Sequence, residues 1–138
     1  MPEPAEKIDF RRNPDEFESL YANNVQFETS AWDLKLIFGQ LDQSQGPSVV
    51  QQHTAITVSW PEAKILAYFL LVNIVNHQAM YGAIQVPDFV LPHRPDPSAP
   101  GLDVNARKTI EYAAWIHDQF FSDHPYVPGG PEAPSPSE

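Results

Sequence analysis

Cysteine is missing from all 138 residues. Disulfides, thiolate metal sites and cysteine nucleophiles are thereby excluded. The absence suits a reducing compartment, so a cytoplasmic location is expected. Basic residues are scarce too: eight Lys and Arg stand against eighteen Asp and Glu, for a formal net charge of −10. Binding to nucleic acid draws most of its affinity from cations that displace counterions from phosphates, so nucleic acid is not an expected partner. The same balance disfavours anionic membrane surfaces. Long hydrophobic runs are absent as well. The longest, Ile65 to Val72, lies between Lys64 and Asn73 and is far too short to cross a bilayer, so no membrane insertion is expected. Met1 to Lys7 has neither a basic region nor an apolar stretch, and no signal peptide is expected there. The sequence holds no glycine-rich phosphate loop, no Gly-x-Ser-x-Gly elbow and no pair of histidines four apart on a helix. No catalytic, cofactor-binding or metal-binding residue is assigned, and a protein without enzymatic activity and without cofactors is expected.

What remains is a chain that is 42% hydrophobic and 12% aromatic, enough for one domain with a real core. Residues 1–19 hold prolines and charges but few apolar groups, and read as a flexible N-terminal arm. From Leu20 the pattern alternates. Tyr21, Asn23, Val25 and Phe27 share one face of a first strand. Thr29-Ser30-Ala31 suits a turn, and Trp32, Leu34, Leu36 and Phe38 share one face of a second strand. Gln40 to Ser48 reads as a polar loop, and the β-branched segment Val49 to Val58 as a third strand. In this third strand Gln52, Thr54, Ile56 and Val58 are assigned to one face.

Ser59-Trp60-Pro61-Glu62 fits a capping box with proline in the first helical turn. The helix it opens is expected to run to about Tyr81, with Gly82 as its left-handed stop. Its apolar residues form two stripes: Ala63, Leu66, Ala67, Leu70, Ile74 and Tyr81 on one, Ile65, Phe69, Val72, Tyr68 and Val75 on the other. A helix apolar nearly all round has to be covered on both sides, so a long buried helix is expected. The sheet would cover one side. A second helix or another copy of the chain would cover the other.

Ten of the fifteen prolines lie from Pro87 onward. Residues 87–103 read as a semi-rigid proline-rich connector in which Asp88-Phe89-Val90-Leu91 could dock on another surface. A second helix over 104–121 is expected, capped by Asp103. Residues 122–138 are a low-complexity tail. The fold class is α+β: a three-stranded antiparallel β-meander and a long helix form a core domain over 20–86, followed by the connector and the second helix.

Candidate sites are few. His117-Asp118 and Asp123-His124 could supply N and O ligands to a divalent ion, which keeps a small metal-dependent enzyme as an alternative. Against that, the pairs straddle a helix end, where adjacent side chains seldom converge, and a polar helix terminus explains them. Lys64 could be a buried amine, but a snorkelling lysine in the first turns explains it too. Trp32, Phe38, Trp60, Tyr68 and Phe69 are core residues in the plain reading and an apolar groove in the functional one. Trp115 points away from the Ile110–Ala114 stripe, where an exposed tryptophan would mark an interface. The interface residues proposed from sequence are Ile65, Phe69, Val72, Trp115 and Phe89.

The order Tyr21-Ala22-Asn23-Asn24-Val25, then Asp33-Leu34-Lys35-Leu36-Ile37-Phe38-Gly39, then Ser59-Trp60-Pro61-Glu62-Ala63-Lys64, with Asn73-Ile74 and Tyr81-Gly82, resembles the bacterial and archaeal family known as domain of unknown function 3467. The resemblance covers about residues 20–86. Trp60, between serine and proline, departs from the pattern. The family implies no activity and no catalytic residues. A looser likeness, in architecture and acidity alone, is to the SecB export chaperones, which implies oligomers that bind apolar peptides. From the two-sided helix, a self-associating binding or scaffold subunit is expected, most simply a homodimer, with the arm, connector or tail available to a protein partner.

Overall fold

The computed structural model describes residues 3, 5–42, 44 and 48–121. The expected low-complexity tail lies outside them, as does most of the expected loop after Asp42. The element order is β1 (Asn24–Thr29), β2 (Asp33–Asp42), β3 (Val49–Ser59), α1 (Trp60–Tyr81), a 3-10 turn (Asp88–Val90) and α2 (Val104–Phe121). This is the α+β class, with the antiparallel meander in the order β1-β2-β3. The chain divides into two compact units, Met1–Ala63 and Lys64–Glu138.

In the first unit, β1 starts later than its alternation suggests, at Asn24, because Asn23 is used differently. Its amide donates to the Gly39 carbonyl, and its side-chain oxygen accepts from the Leu41 amide at 2.7 Å. The β1–β2 turn is built on Ser30. Its hydroxyl accepts from the amides of Trp32 and Asp33 and donates to the Asp33 carboxylate. That puts Trp32 at the tip of the turn, exposed, and not in the strand. β2 runs further than expected, into the segment read as a loop, where Leu41 pairs with Val50 and Asp42 with Val49; β3 starts at Val49 as expected and ends one residue later, at Ser59.

Between Phe38 and Gly39 the register shifts, since Phe38 pairs with Thr54 but Gly39 with Gln52. The extra residue is His53, and the shift puts Gln52 on the face opposite Thr54. Gln52 donates there to the Gln26 side chain at 2.7 Å. The single face assigned to Gln52, Thr54, Ile56 and Val58 therefore holds only from Thr54 onward, because a bulge breaks the two-residue period. Gly39 sits where the strands close up. A β-carbon there would lie 2.7 Å from the Gln51 carbonyl oxygen.

β3 passes into α1 without a loop. The Glu62 amide donates to the Ser59 hydroxyl, one half of the expected capping box. The Trp60 indole donates to the Ser30 carbonyl at 2.9 Å, tying the helix start to the hairpin turn. This bond accounts for the tryptophan between serine and proline. At 22 residues, α1 is about 33 Å long. It ends at Gly82, whose φ of +90° and amide bond to the Gln78 carbonyl make the expected left-handed stop.

In the second unit, Asp103 caps α2 through the Ala106 amide at 2.7 Å. The connector is strapped to this helix. Arg94 makes two bonds to the Asp118 carboxylate, 2.8 and 3.1 Å, and the Pro92 carbonyl accepts from His117 Nε2 at 2.7 Å. Asp96 closes a turn onto Ser98, and Gly101, with φ of +84°, redirects the chain into the helix.

Burial departs from expectation. Among the described residues only Leu36 and Ala114 are buried hydrophobics. No residue of α1 is buried. The helix forms as expected, but none of its residues is buried among the described residues, although it is apolar nearly all round.

Candidate interaction surface

The pairing register collects the apolar side chains of the sheet on one face. Val25 faces Phe38, Phe27 faces Leu36, Leu36 faces Ile56 and Leu34 faces Val58. Leu36, at the centre of β2 and flanked by Phe27 and Ile56, is the one side chain of this face that its neighbours bury, at 8% exposure. Phe27 and Ile56 remain about half exposed, at 55% and 49%. The opposite face is mostly polar. It carries the Gln26–Gln52 bond and a Glu28–Lys35 ion pair at 3.6 Å, exposed and therefore of little energetic weight.

At the bulge, His53 Nε2 donates to the Tyr21 carbonyl at 3.1 Å and Nδ1 lies 2.8 Å from the Thr54 hydroxyl. A carbonyl only accepts, so Nε2 is the donor in the first of these bonds. Beside it is a cavity of about 240 Å³ lined by Leu20, Phe38, His53 and Ile56 among others. Both ring nitrogens are thus engaged within the chain.

On α1, four of the five residues of the second stripe (Ile65, Tyr68, Phe69 and Val72) are exposed, Phe69 at 56%, with its ring edge-on to Tyr68 at 5.3 Å. Ala63, Leu66 and Ile74 of the first stripe are half-buried, as is Val75 of the second. Leu70 of the first stripe is exposed. Phe89 lies exposed in the 3-10 turn of the connector. Trp115 is half-buried and stacks on Tyr112, centroids 5.8 Å apart. Of the five interface residues proposed from sequence, three thus share the exposed side of α1, and Phe89 and Trp115 stand on separate elements.

The histidine and carboxylate weighed as ligands at the end of α2 are engaged otherwise. His117 bonds the Pro92 carbonyl. Asp118 is held by Arg94, whose hydrogen bonds keep this carboxyl below its usual range while the guanidinium is raised above its own. Asp123 and His124 lie outside the described residues, and among those described no group of three or more His, Asp or Glu converges. The strap between connector and α2 escaped the sequence reading. The signal for it was faint: one arginine in a proline-rich segment and one His-Asp pair 24 residues later. Nor does any helix among the described residues have the length and apolarity to cross a membrane.

Among the described residues the surface contains apolar side chains in quantity. A model of the family described as protein of unknown function (DUF3467) matches residues 1–86. The chain belongs to that family, and the match takes in the N-terminal arm as well as the 20–86 segment. No curated protein and no solved structure matches the chain.

Proposed function

We propose that the protein is a non-enzymatic, self-associating binding or scaffold subunit, most simply a cytoplasmic homodimer. The observation that carries this reading is the lack of burial. A sheet with one apolar face and a helix apolar on all sides leave only Leu36 and Ala114 as buried hydrophobics among the described residues. Domains gain most of their stability by burying such faces against another layer, and a second copy supplies the missing layer at no further genetic cost. The exposed parts of Ile65, Tyr68, Phe69, Leu70 and Val72 amount to about 500 Å² per chain, taking roughly 200 Å² for each whole side chain. The exposed apolar side chains of the sheet face are a second such surface, and a standard stable interface covers ~800 Å² per partner.

Size-exclusion chromatography with light scattering tests this directly. A mass near twice 15.5 kDa at micromolar concentration is expected, and a stable monomer would refute it. A second reading, capture of apolar peptides in the manner of an export chaperone, is favoured by one observation: Val25, Phe27 and Ile56 stand open side by side on the sheet. Suppression of aggregation of an unfolded client, lost in Phe27→Asp, would support it. A protein that leaves client aggregation unchanged would exclude it.

A further inference from the structure

We infer that the outer edge of β3 pairs antiparallel with the β3 edge of a second copy, joining two three-stranded sheets into one of six strands. The inference rests on the self-association proposed above and concerns the sheet edge alone; the exposed apolar faces are a separate part of the contact.

The strand order β1-β2-β3 leaves the outer side of β3 without a strand among the described residues. An exposed edge presents unpaired amides and carbonyls, and proteins that must stay monomeric protect such edges with charge, proline or shortness. β3 has none of these over its eleven residues, Val-Val-Gln-Gln-His-Thr-Ala-Ile-Thr-Val-Ser. Its one irregularity, the bulge at His53, lies toward one end and leaves Thr54 to Ser59 regular against β2. The other edge, β1, has only six residues and carries Glu28, which is already paired with Lys35.

Charge points to a second copy as the occupant. Residues 43–87 contain a single acid, Glu62, and a single base, Lys64, so the net charge of −10 resides wholly outside them. Two copies repel through the rest of their surface and approach without that penalty through this neutral segment, in which β3 lies. Symmetry agrees. A two-fold axis perpendicular to the sheet makes the strands antiparallel and keeps each apolar face on the same side. Residues of the same parity then oppose one another. With the axis at Thr57, Ile56 meets Val58 of the second copy and Val58 meets its Ile56, β-branched pairs of the kind that stabilise antiparallel sheets, and the apolar face of one copy continues into that of the next.

The absence of native cysteine makes the test clean. Thr57→Cys lies on that axis and projects from the polar face, away from the apolar contacts. Opposed residues in an antiparallel pair sit about 4.5–5.5 Å apart, within disulfide range. Thr57→Cys should form a disulfide-linked dimer on mild oxidation, whereas Glu28→Cys on β1 should not. Thr57→Lys should weaken the dimer about tenfold or more by opposing like charges across the axis, with the far-ultraviolet circular dichroism of the sheet retained. A wild-type dimer that persists in Thr57→Lys and gives no β3 crosslink overturns the β3 pairing and leaves self-association standing. A monomeric wild type overturns both. Amide exchange that stays slow along the outer edge of β3 when the protein is diluted to monomer would mean that a segment of the same chain occupies the edge, and would also overturn the pairing.

Discussion

Phe69→Asp is the perturbation that bears hardest on the argument for self-association. Phe69 is 56% exposed on α1. A phenylalanine side chain of roughly 200 Å² thus leaves about 110 Å² for a partner to cover. At about 25 cal/mol per Å² this is worth about 3 kcal/mol per copy. A symmetric dimer contains the residue twice, so replacing it removes about 5–6 kcal/mol of association energy, before the cost of bringing a carboxylate into the contact. At about 1.4 kcal/mol per factor of ten, the dissociation constant should rise by about 10⁴-fold. Sedimentation velocity across nanomolar to micromolar concentrations measures this directly. The released chain should keep its helices, since the introduced carboxylate would face water and the backbone bonds of α1 do not depend on the replaced ring. Circular dichroism provides that control. Unchanged dimerisation in Phe69→Asp would show that the exposed side of α1 is not an interface and would refute the reasoning from its exposure.

Other consequences follow from particular contacts. Gly39→Ala puts a β-carbon 2.7 Å from the Gln51 carbonyl and 2.8 Å from Val50 Cγ1. Backbone has to yield, so a loss of about 1–3 kcal/mol is expected, seen as a lower thermal midpoint; an unchanged midpoint would mean the strands separate there at no cost. Asp103→Ala removes the cap on the Ala106 amide and should cost about 1 kcal/mol, with Asp103→Ser restoring most of it in chemical denaturation. Arg94 holds Asp118 below the ordinary aspartate value of 3.8. A carboxyl with a lowered folded-state pKa stabilises the fold above its unfolded value and loses that contribution as the pH falls through the folded one. The strap between connector and α2 should therefore be intact at neutral pH and weaken only below pH 3.8. Carboxyl NMR titration should show Asp118 moving up toward the ordinary range in Arg94→Gln, and an unmoved midpoint would remove Arg94 as the cause.

Local periodicity and capping chemistry are what made much of this fold legible in the chain. Alternation placed β2, the Ser59 hydroxyl and Pro61 placed the start of α1, and Gly82 placed its end, because each of these signals acts within a few residues of the position it governs. The Asp103 cap is legible for the same reason. Two features ran against the local signal. His53 interrupts the alternation of β3, and nothing in its neighbours announces that an extra residue is accommodated there. Trp32 reads as a strand residue, yet Ser30 draws the Trp32 and Asp33 amides into the turn. Of the candidate interaction surface, the residues on α1 were visible as a stripe, while the partners of His117 and Asp118 were not.

By itself, the sequence determines that the protein has no thiol chemistry, that it is strongly acidic, and that three strands precede a helix apolar on every side. These follow from composition and from periods of two and 3.6 residues, which are properties of neighbouring positions. Tertiary structure alone decides which apolar residues remain in water, that the uncharged β3 is an edge strand, and that the connector is held to α2 through Arg94 and Pro92. Those outcomes depend on which distant segments meet. A pattern of apolar residues states that a surface must be covered, and only the packed chain reveals how much of the covering it supplies itself.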